Sequence, residues 1–269
     1  MSLDRSFIPY GRQCIGDDDI IAVTNVLKSD FLTTGPVVEA FENKLAEITG
    51  AAHAVSCSSG TSALHLAAMA LGLRPGDHAV VPAMTFLATA NAARYVGAEV
   101  TFADVDPDTG LMTAGTLSDA LEQAGPRAKA VFPVHINGQT SDMIALRGAT
   151  SLPIVEDACH ALGGAHKGPA NAMVPVGSCA FSDMATFSFH PVKTAAMGEG
   201  GALTTNDPTL ARRLRQFRNI GIIREADEFQ DDLQALDNSG DANPWYYEMQ
   251  ELGYNYRASA IHCALGLSQ

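Results

Sequence analysis

Between residues 52 and 205 the chain alternates short apolar runs with longer stretches of helical periodicity, separated by Gly, Pro, Asp or Ser. This alternation constrains the fold most, because strands rejoined through helical crossovers lie parallel and are covered on both faces. Strands are expected at 52–57, 78–81, 99–102, 128–134, 153–155, 185–189 and 201–204. Their richness in Val, Ile, Phe and Ala suits burial on both sides. Helices are expected at 17–27, 37–48, 62–71, 85–96, 116–122 and 208–217, the first opening on Asp17, Asp18 and Asp19 at the positive helix end. The class implied is α/β, with a mostly parallel central sheet and helices on both faces.

The pattern breaks at 225–251, where nine acids fall in 27 residues and Asn238-Ser239-Gly240 and Asn243-Pro244 signal turns. A surface excursion is expected there, followed by an apolar helix at 258–267. Residues 1–224 then form one large domain, and 225–269 hold the excursion and the start of a second.

The formal net charge of −13 argues against nucleic acid or an anionic membrane as partner. No apolar run reaches the roughly 18 residues of a membrane span, and Met1-Ser2-Leu3-Asp4-Arg5 lacks a signal-peptide core, so a cytoplasmic chain is expected. Five cysteines, odd in number and without CxxC or zinc spacing, read as thiols in a reducing compartment, and no metal is expected.

Three segments can carry chemistry. Cys57-Ser58-Ser59-Gly60-Thr61-Ser62 lies between a strand and a helix, where small residues let backbone N–H groups approach an anion. It is neither a Walker A nor a GxGxxG motif, and an ordinary helix cap fits it equally. In Ile154-Val155-Glu156-Asp157-Ala158-Cys159-His160 an apolar strand runs into two acids. At the carboxyl end of a strand Asp157 can pair with a protonated ring nitrogen, or it can cap a helix. Lys193, one of only five lysines, follows the aromatic strand Phe187-Ser188-Phe189 and precedes the glycine-rich turn Gly198-Glu199-Gly200-Gly201. A phosphate cup, a strand-end acid and a secluded lysine are together the parts of a pyridoxal phosphate (PLP) site. Arg212, Arg213, Arg215, Arg218 and Arg224 cluster beside an apolar helical face and read mainly as solvated.

The chain resembles the DegT/StrS family of PLP-dependent sugar-nucleotide aminotransferases. The resemblance is carried by Ser29-Asp30-Phe31-Leu32-Thr33-Thr34-Gly35-Pro36, Ser59-Gly60-Thr61-Ser62-Ala63, Glu156 to Gly163, the Lys193 segment and Gly253-Tyr254-Asn255-Tyr256-Arg257. Within the family it is most similar to the PseC-type branch, which aminates a UDP-linked 4-keto-6-deoxy-N-acetylhexosamine. The resemblance implies the type I aminotransferase fold, PLP as cofactor, an amino-acid donor such as L-glutamate, and a role in polysaccharide or glycan biosynthesis. It makes Lys193 the Schiff-base lysine and Asp157 the partner of the pyridinium nitrogen. Phe86 would stack on the ring, His160 would lie beside the ring hydroxyl, and Gly60, Thr61, Ser62 and Ser188 would hold the phosphate. Asn255 would come from the second subunit of a homodimer with a shared active site, and Tyr10, Phe31, Leu32 and Thr33 match positions facing sugar or cofactor.

Family members usually continue for a further C-terminal domain, whereas this chain stops at Gln269. The resemblance therefore implies that the small domain is missing, and a cofactor-binding remnant that turns nothing over is the competing reading. A sugar 3-dehydratase of the same fold would carry histidine in place of Lys193.

Overall fold

The computed structural model describes residues 9–269. The sequence reading of residues 1–5 lies outside that range.

In chain order, α1 (Asp17–Leu27) and α2 (Pro36–Thr49) precede β1 (His53–Cys57), α3 (Gly60–Ala70), β2 (His78–Pro82), α4 (Leu87–Tyr95), β3 (Glu99–Ala103) and α5 (Ala114–Ala124). Then come β4 (Ala128–Val131), α6 (Met143–Ala149), β5 (Val155–Asp157), the antiparallel hairpin β6 (Ala165–Lys167) and β7 (Met173–Pro175), β8 (Met184–Ser188), β9 (Gly201–Thr205) and α7 (Pro208–Arg218). The last part holds β10 (Ile222–Ile223), α8 (Asp232–Ala235), β11 (Glu248–Met249) and α9 (Ala260–Ser268), with β10 and β11 paired antiparallel.

Strands β1-β9-β8-β5 form one ladder and β3-β2-β4 another. Parallel bridges Val131 to Ile154 and Val134 to Asp157 set β4 beside β5, so the two make one sheet in the order β1-β9-β8-β5-β4-β2-β3. β9 runs antiparallel to both its neighbours, while the other pairings in the sheet are parallel.

Alternation along the strands decides which helices cover which face. Val55, Cys57, Ala79, Val81 and Leu203 point into a core with Leu64 and Ala67 of α3, Ala92 of α4 and Leu214 and Phe217 of α7. Their neighbours Ala54, Ala185, Phe187 and Ala202 pack against Phe41 and Leu45 of α2, and Val80, Val131 and Ile154 against Leu117 of α5 and Leu146 of α6. Helices therefore lie on both faces. Among the described residues no helix is long and apolar enough to cross a membrane.

Local chemistry moves several boundaries. Phe86 is extended (φ −74°, ψ 148°), so α4 begins at Leu87 rather than at residue 85. Thr113 and Ser259 act as N-caps through their side chains, which starts α5 at Ala114 and α9 at Ala260. Gly201 is fixed by close approach: a Cβ there would stand 2.1 Å from the Ser59 carbonyl oxygen, so β9 can pass the start of α3 only as glycine. The arginines of α7 and the segment after it divide. Arg212, Arg215 and Arg224 are exposed. Arg218 is largely buried, bonded to Glu42 of α2 and to the Ser56 carbonyl at 2.8 Å, which ties α7 to α2 and β1.

Candidate active site

The carboxyl ends of β1, β2, β4, β5 and β8 open onto one cavity of about 580 Å³. Its walls include Ser59, Gly60 and Thr61 after β1, Met84 to Phe86 after β2, Val134 and Asn137 after β4, Asp157, Cys159 and His160 at the end of β5, and Ser188, His190, Val192 and Lys193 after β8. Parallel strands release their loops on the same side, which is why segments more than 100 residues apart meet here.

The anion-facing end is built by α3. Ser59 and Ser62 cap each other: Ser59 Oγ accepts the Ser62 N–H at 3.1 Å, and Ser62 Oγ accepts the Ser59 N–H at 2.9 Å. This reciprocal cap leaves the Gly60 and Thr61 N–H groups without an acceptor among the described residues, at the positive end of the helix. Ser62 thus serves the cap and is not part of the cavity wall. Gly60 is required sterically, since a Cβ would meet Ser188 Cβ at 2.7 Å and Cys159 Sγ at 3.2 Å.

Asp157 is the last residue of β5 and only 5% exposed, yet it lines the cavity. Its Oδ2 accepts from Thr89 Oγ1 at 2.7 Å and its Oδ1 from the Cys159 N–H at 3.3 Å. The helix-cap reading of Asp157 does not hold, because residues 158–164 form turns and no helix; the carboxylate takes the Cys159 N–H of the first turn and borders the cavity. Lys193 sits in a loop anchored by buried Phe189 and Met197, where the Met197 N–H donates to the Phe189 carbonyl at 2.8 Å. The Lys193 N–H donates to the His190 carbonyl at 2.8 Å, closing a turn that presents the side chain to the cavity. Phe86 is 67% exposed, an apolar ring left open to the cavity mouth.

His160 Nδ1 accepts the Asn137 N–H at 3.2 Å, so the ring proton belongs to Nε2. Burial, and then the Lys193 charge, push the His160 pKa down against the opposing pull of Asp157, which keeps the ring neutral. Burial, and then Asp157, raise the Cys159 thiol well above its ordinary value; it stays protonated and is a poor nucleophile.

Tyr10 lines the cavity with these residues. Phe31, Leu32, Thr33 and Asn255 do not. The Leu32 carbonyl accepts the Ala260 N–H at 3.1 Å, Thr33 bridges to Ser259, and Asn255 bridges to Asn219. These segments meet elsewhere, where Thr34, Asn219 and Arg257 share the wall of a separate cavity of about 380 Å³.

Behind β5, on the sheet face opposite Asp157, lies a cluster invisible in the sequence. Glu156, 1% exposed, accepts from His135 Nε2 at 2.8 Å, from His166 Nε2 at 2.9 Å and from Ser182 Oγ at 2.5 Å. Three ligand-type atoms of His135, Glu156 and His166 lie within 4.8 Å of one another. His135 Nδ1 accepts the Ser141 N–H at 3.2 Å, so its Nε2 carries hydrogen and offers a metal no lone pair. The group is a buried carboxylate held by hydrogen bonds.

The mostly parallel sheet with β9 alone antiparallel, and the acid, lysine and helix N-terminus at its carboxyl edge, match the type I fold of PLP-dependent sugar aminotransferases. The chain belongs to the DegT/DnrJ/EryC1/StrS aminotransferase family, whose pattern matches residues 13–269. Among solved structures it is similar to Spr1654 of Streptococcus pneumoniae in its PMP form, with 27% identity over 97% of this chain and a TM-score of 0.83. It is also similar to Helicobacter pylori PseC, an aminotransferase involved in the biosynthesis of pseudaminic acid (29%, 98%, 0.81), and to DesI solved with its TDP-sugar product (31%, 98%, 0.78). The chain covers 66%, 65% and 60% of those three chains, under two thirds of their length.

Proposed function

We propose that residues 1–224 are the PLP-binding domain of a sugar-nucleotide aminotransferase, with 225–269 leading into a second domain. The observation that carries this reading is the convergence of Lys193, Asp157 and the two free N–H groups of Gly60 and Thr61 on one cavity. The donor set fits PLP: helix N–H groups and a Ser188 hydroxyl for a phosphate, a carboxylate for a ring nitrogen, an amine for an aldehyde, and an open aromatic ring for a flat face. When bound, PLP supplies an electron sink for negative charge at the α-carbon of an amino acid.

In this reading Lys193 Nζ would hold the cofactor covalently and, once released, would take the proton from the donor α-carbon and deliver it to the cofactor. Asp157 keeps a proton on the ring nitrogen by placing a negative charge beside it. Gly60, Thr61 and Ser188 bind the phosphate, with Ser62 contributing through the cap that frees those N–H groups. Phe86 covers the ring, and the Nε2–H of His160 donates toward the ring hydroxyl. Asn255 enters from a second copy of the chain in a homodimer. Phe31, Leu32 and Thr33, which gather with the Asn255 segment, meet the sugar by the same route, and Tyr10 meets it within the chain.

The donor is L-glutamate and the acceptor a UDP-linked 4-keto-6-deoxy-N-acetylhexosamine, of the kind used in cytoplasmic steps of surface glycan synthesis. The likeness to PseC supports this choice of sugar. The reading predicts that PLP-loaded protein mixed with L-glutamate releases one equivalent of 2-oxoglutarate per site, and that a UDP-keto sugar then restores the starting absorbance. A panel of UDP-, GDP- and TDP-keto sugars tests the nucleotide. Failure to release 2-oxoglutarate contradicts the transaminase reading, and restoration by a TDP-sugar alone contradicts the UDP assignment.

A further inference from the structure

We infer that Thr89, with Thr85 behind it, is a positioning residue for Asp157 that fixes which of its lone pairs face the cofactor; this rests on the PLP reading above. Thr89 lies in the first turn of α4, is 1% exposed, and reaches Asp157 across 68 positions of sequence. Its Oγ1 stands 2.7 Å from Asp157 Oδ2, 2.7 Å from Thr85 Oγ1 and 3.2 Å from the Phe86 carbonyl.

A count of protons orders these contacts. Thr89 has one hydroxyl hydrogen, and an ionised carboxylate can only accept. The short, charge-assisted contact takes that hydrogen in preference to the longer one to the neutral Phe86 carbonyl. Thr85 must then donate to Thr89, giving a directed chain from Thr85 through Thr89 to Asp157. The Cys159 N–H meets the other oxygen at 3.3 Å. Thr89 and the Cys159 N–H thus hold one Asp157 oxygen each, with the Cys159 thiol bonded to the same carboxylate, which sets the plane of the carboxylate beside the cavity.

The same chain couples two parts of the site. Phe86 is the N-cap residue of α4, and its neighbour Thr85 lines the cavity. The segment that places the aromatic ring is therefore hydrogen-bonded to the acid assigned to the ring nitrogen. A threonine kept only for helix geometry would be satisfied by the Phe86 carbonyl and would be indifferent to Asp157.

Thr89→Val preserves shape and removes the donor, whereas Thr89→Ser keeps it. In titrations of the apoprotein with PLP, the Val variant is expected to bind about tenfold more weakly, the scale of one hydrogen bond to a charged group. In the half-reaction with L-glutamate its maximal rate is expected to fall about tenfold while the donor concentration for half-maximal rate changes little, and Ser restores both values to within about twofold. Thr85→Val, which leaves Thr89 in place, gives a smaller loss in the same direction and carries the test if Thr89→Val fails to fold. Equal PLP affinity and half-reaction rate in wild type and the Val variants, or equal damage by Val and Ser at position 89, overturns the inference alone. A wild-type chain that takes up no PLP overturns the functional reading and this inference with it.

Discussion

Replacing Lys193 with alanine is expected to slow release of 2-oxoglutarate from L-glutamate by about 10³-fold, the scale of a lost acid–base group, while the chain still folds and takes up PLP. Folding should survive because the bonds that shape the loop are backbone bonds: Lys193 N–H to His190 and Met197 N–H to Phe189, with Phe189 and Met197 buried on either side. Uptake should survive because the Gly60 and Thr61 N–H groups, Ser188 and Asp157 are untouched. Lys193→Arg sharpens the test. Arginine keeps the positive charge but cannot give up its proton at accessible pH, so it should be as inactive as alanine if the amine itself is needed. Wild-type activity in the Arg variant would reduce Lys193 to a source of charge.

The largest effect on stability is expected at Glu156. Glu156→Gln keeps the shape of the side chain but presents an NH₂ group to an array of donors. At least one of His135 Nε2, His166 Nε2 and Ser182 Oγ then loses its acceptor in a dry interior. The expected loss is about 3 kcal/mol at pH 7, the scale for removing one partner from a buried ionic network. The pH dependence follows. Burial alone would raise the carboxyl pKa, but the two histidine hydrogen bonds outweigh it and hold the value at about 2, below the ordinary 4.5. A carboxyl depressed in the folded state contributes stability above its unfolded pKa, and that contribution is lost as pH falls from about 4.5 toward 2. Urea unfolding should therefore show a gap between parent and variant that is full at pH 7 and narrows below about 4.5. A gap that widens on acidification contradicts this account of the cluster.

The sheet was legible because each central strand spends several consecutive apolar residues on two cores, as Val80 and Val81 do on opposite faces. The elements the sequence concealed are those too short to show a period. The seven-residue α6 announces itself only through its cap, Asp142, whose side chain accepts the Ala145 N–H. The strands β6 and β7 have three residues each and no apolar alternation. At the candidate site, Lys193, Asp157 and the Gly60 turn stood out because scarce or small residues sat at strand ends. Thr89, His135 and His166 carried no such mark. Each is an ordinary polar residue until the fold brings it to a carboxylate 68, 21 or 10 positions away. Ser62 shows the reverse limit: the motif was visible, but only the reciprocal bonds with Ser59 reveal that it frees its neighbours' N–H groups and stands back from the cavity wall.

Borohydride reduction of PLP-treated protein followed by peptide mass analysis reads directly whether Lys193 holds the cofactor. One reduced phosphopyridoxyl group per chain is expected, on the peptide containing Lys193 and absent from Lys193→Ala. No adduct, or an adduct carried instead by Lys28, Lys44, Lys129 or Lys167, would contradict it.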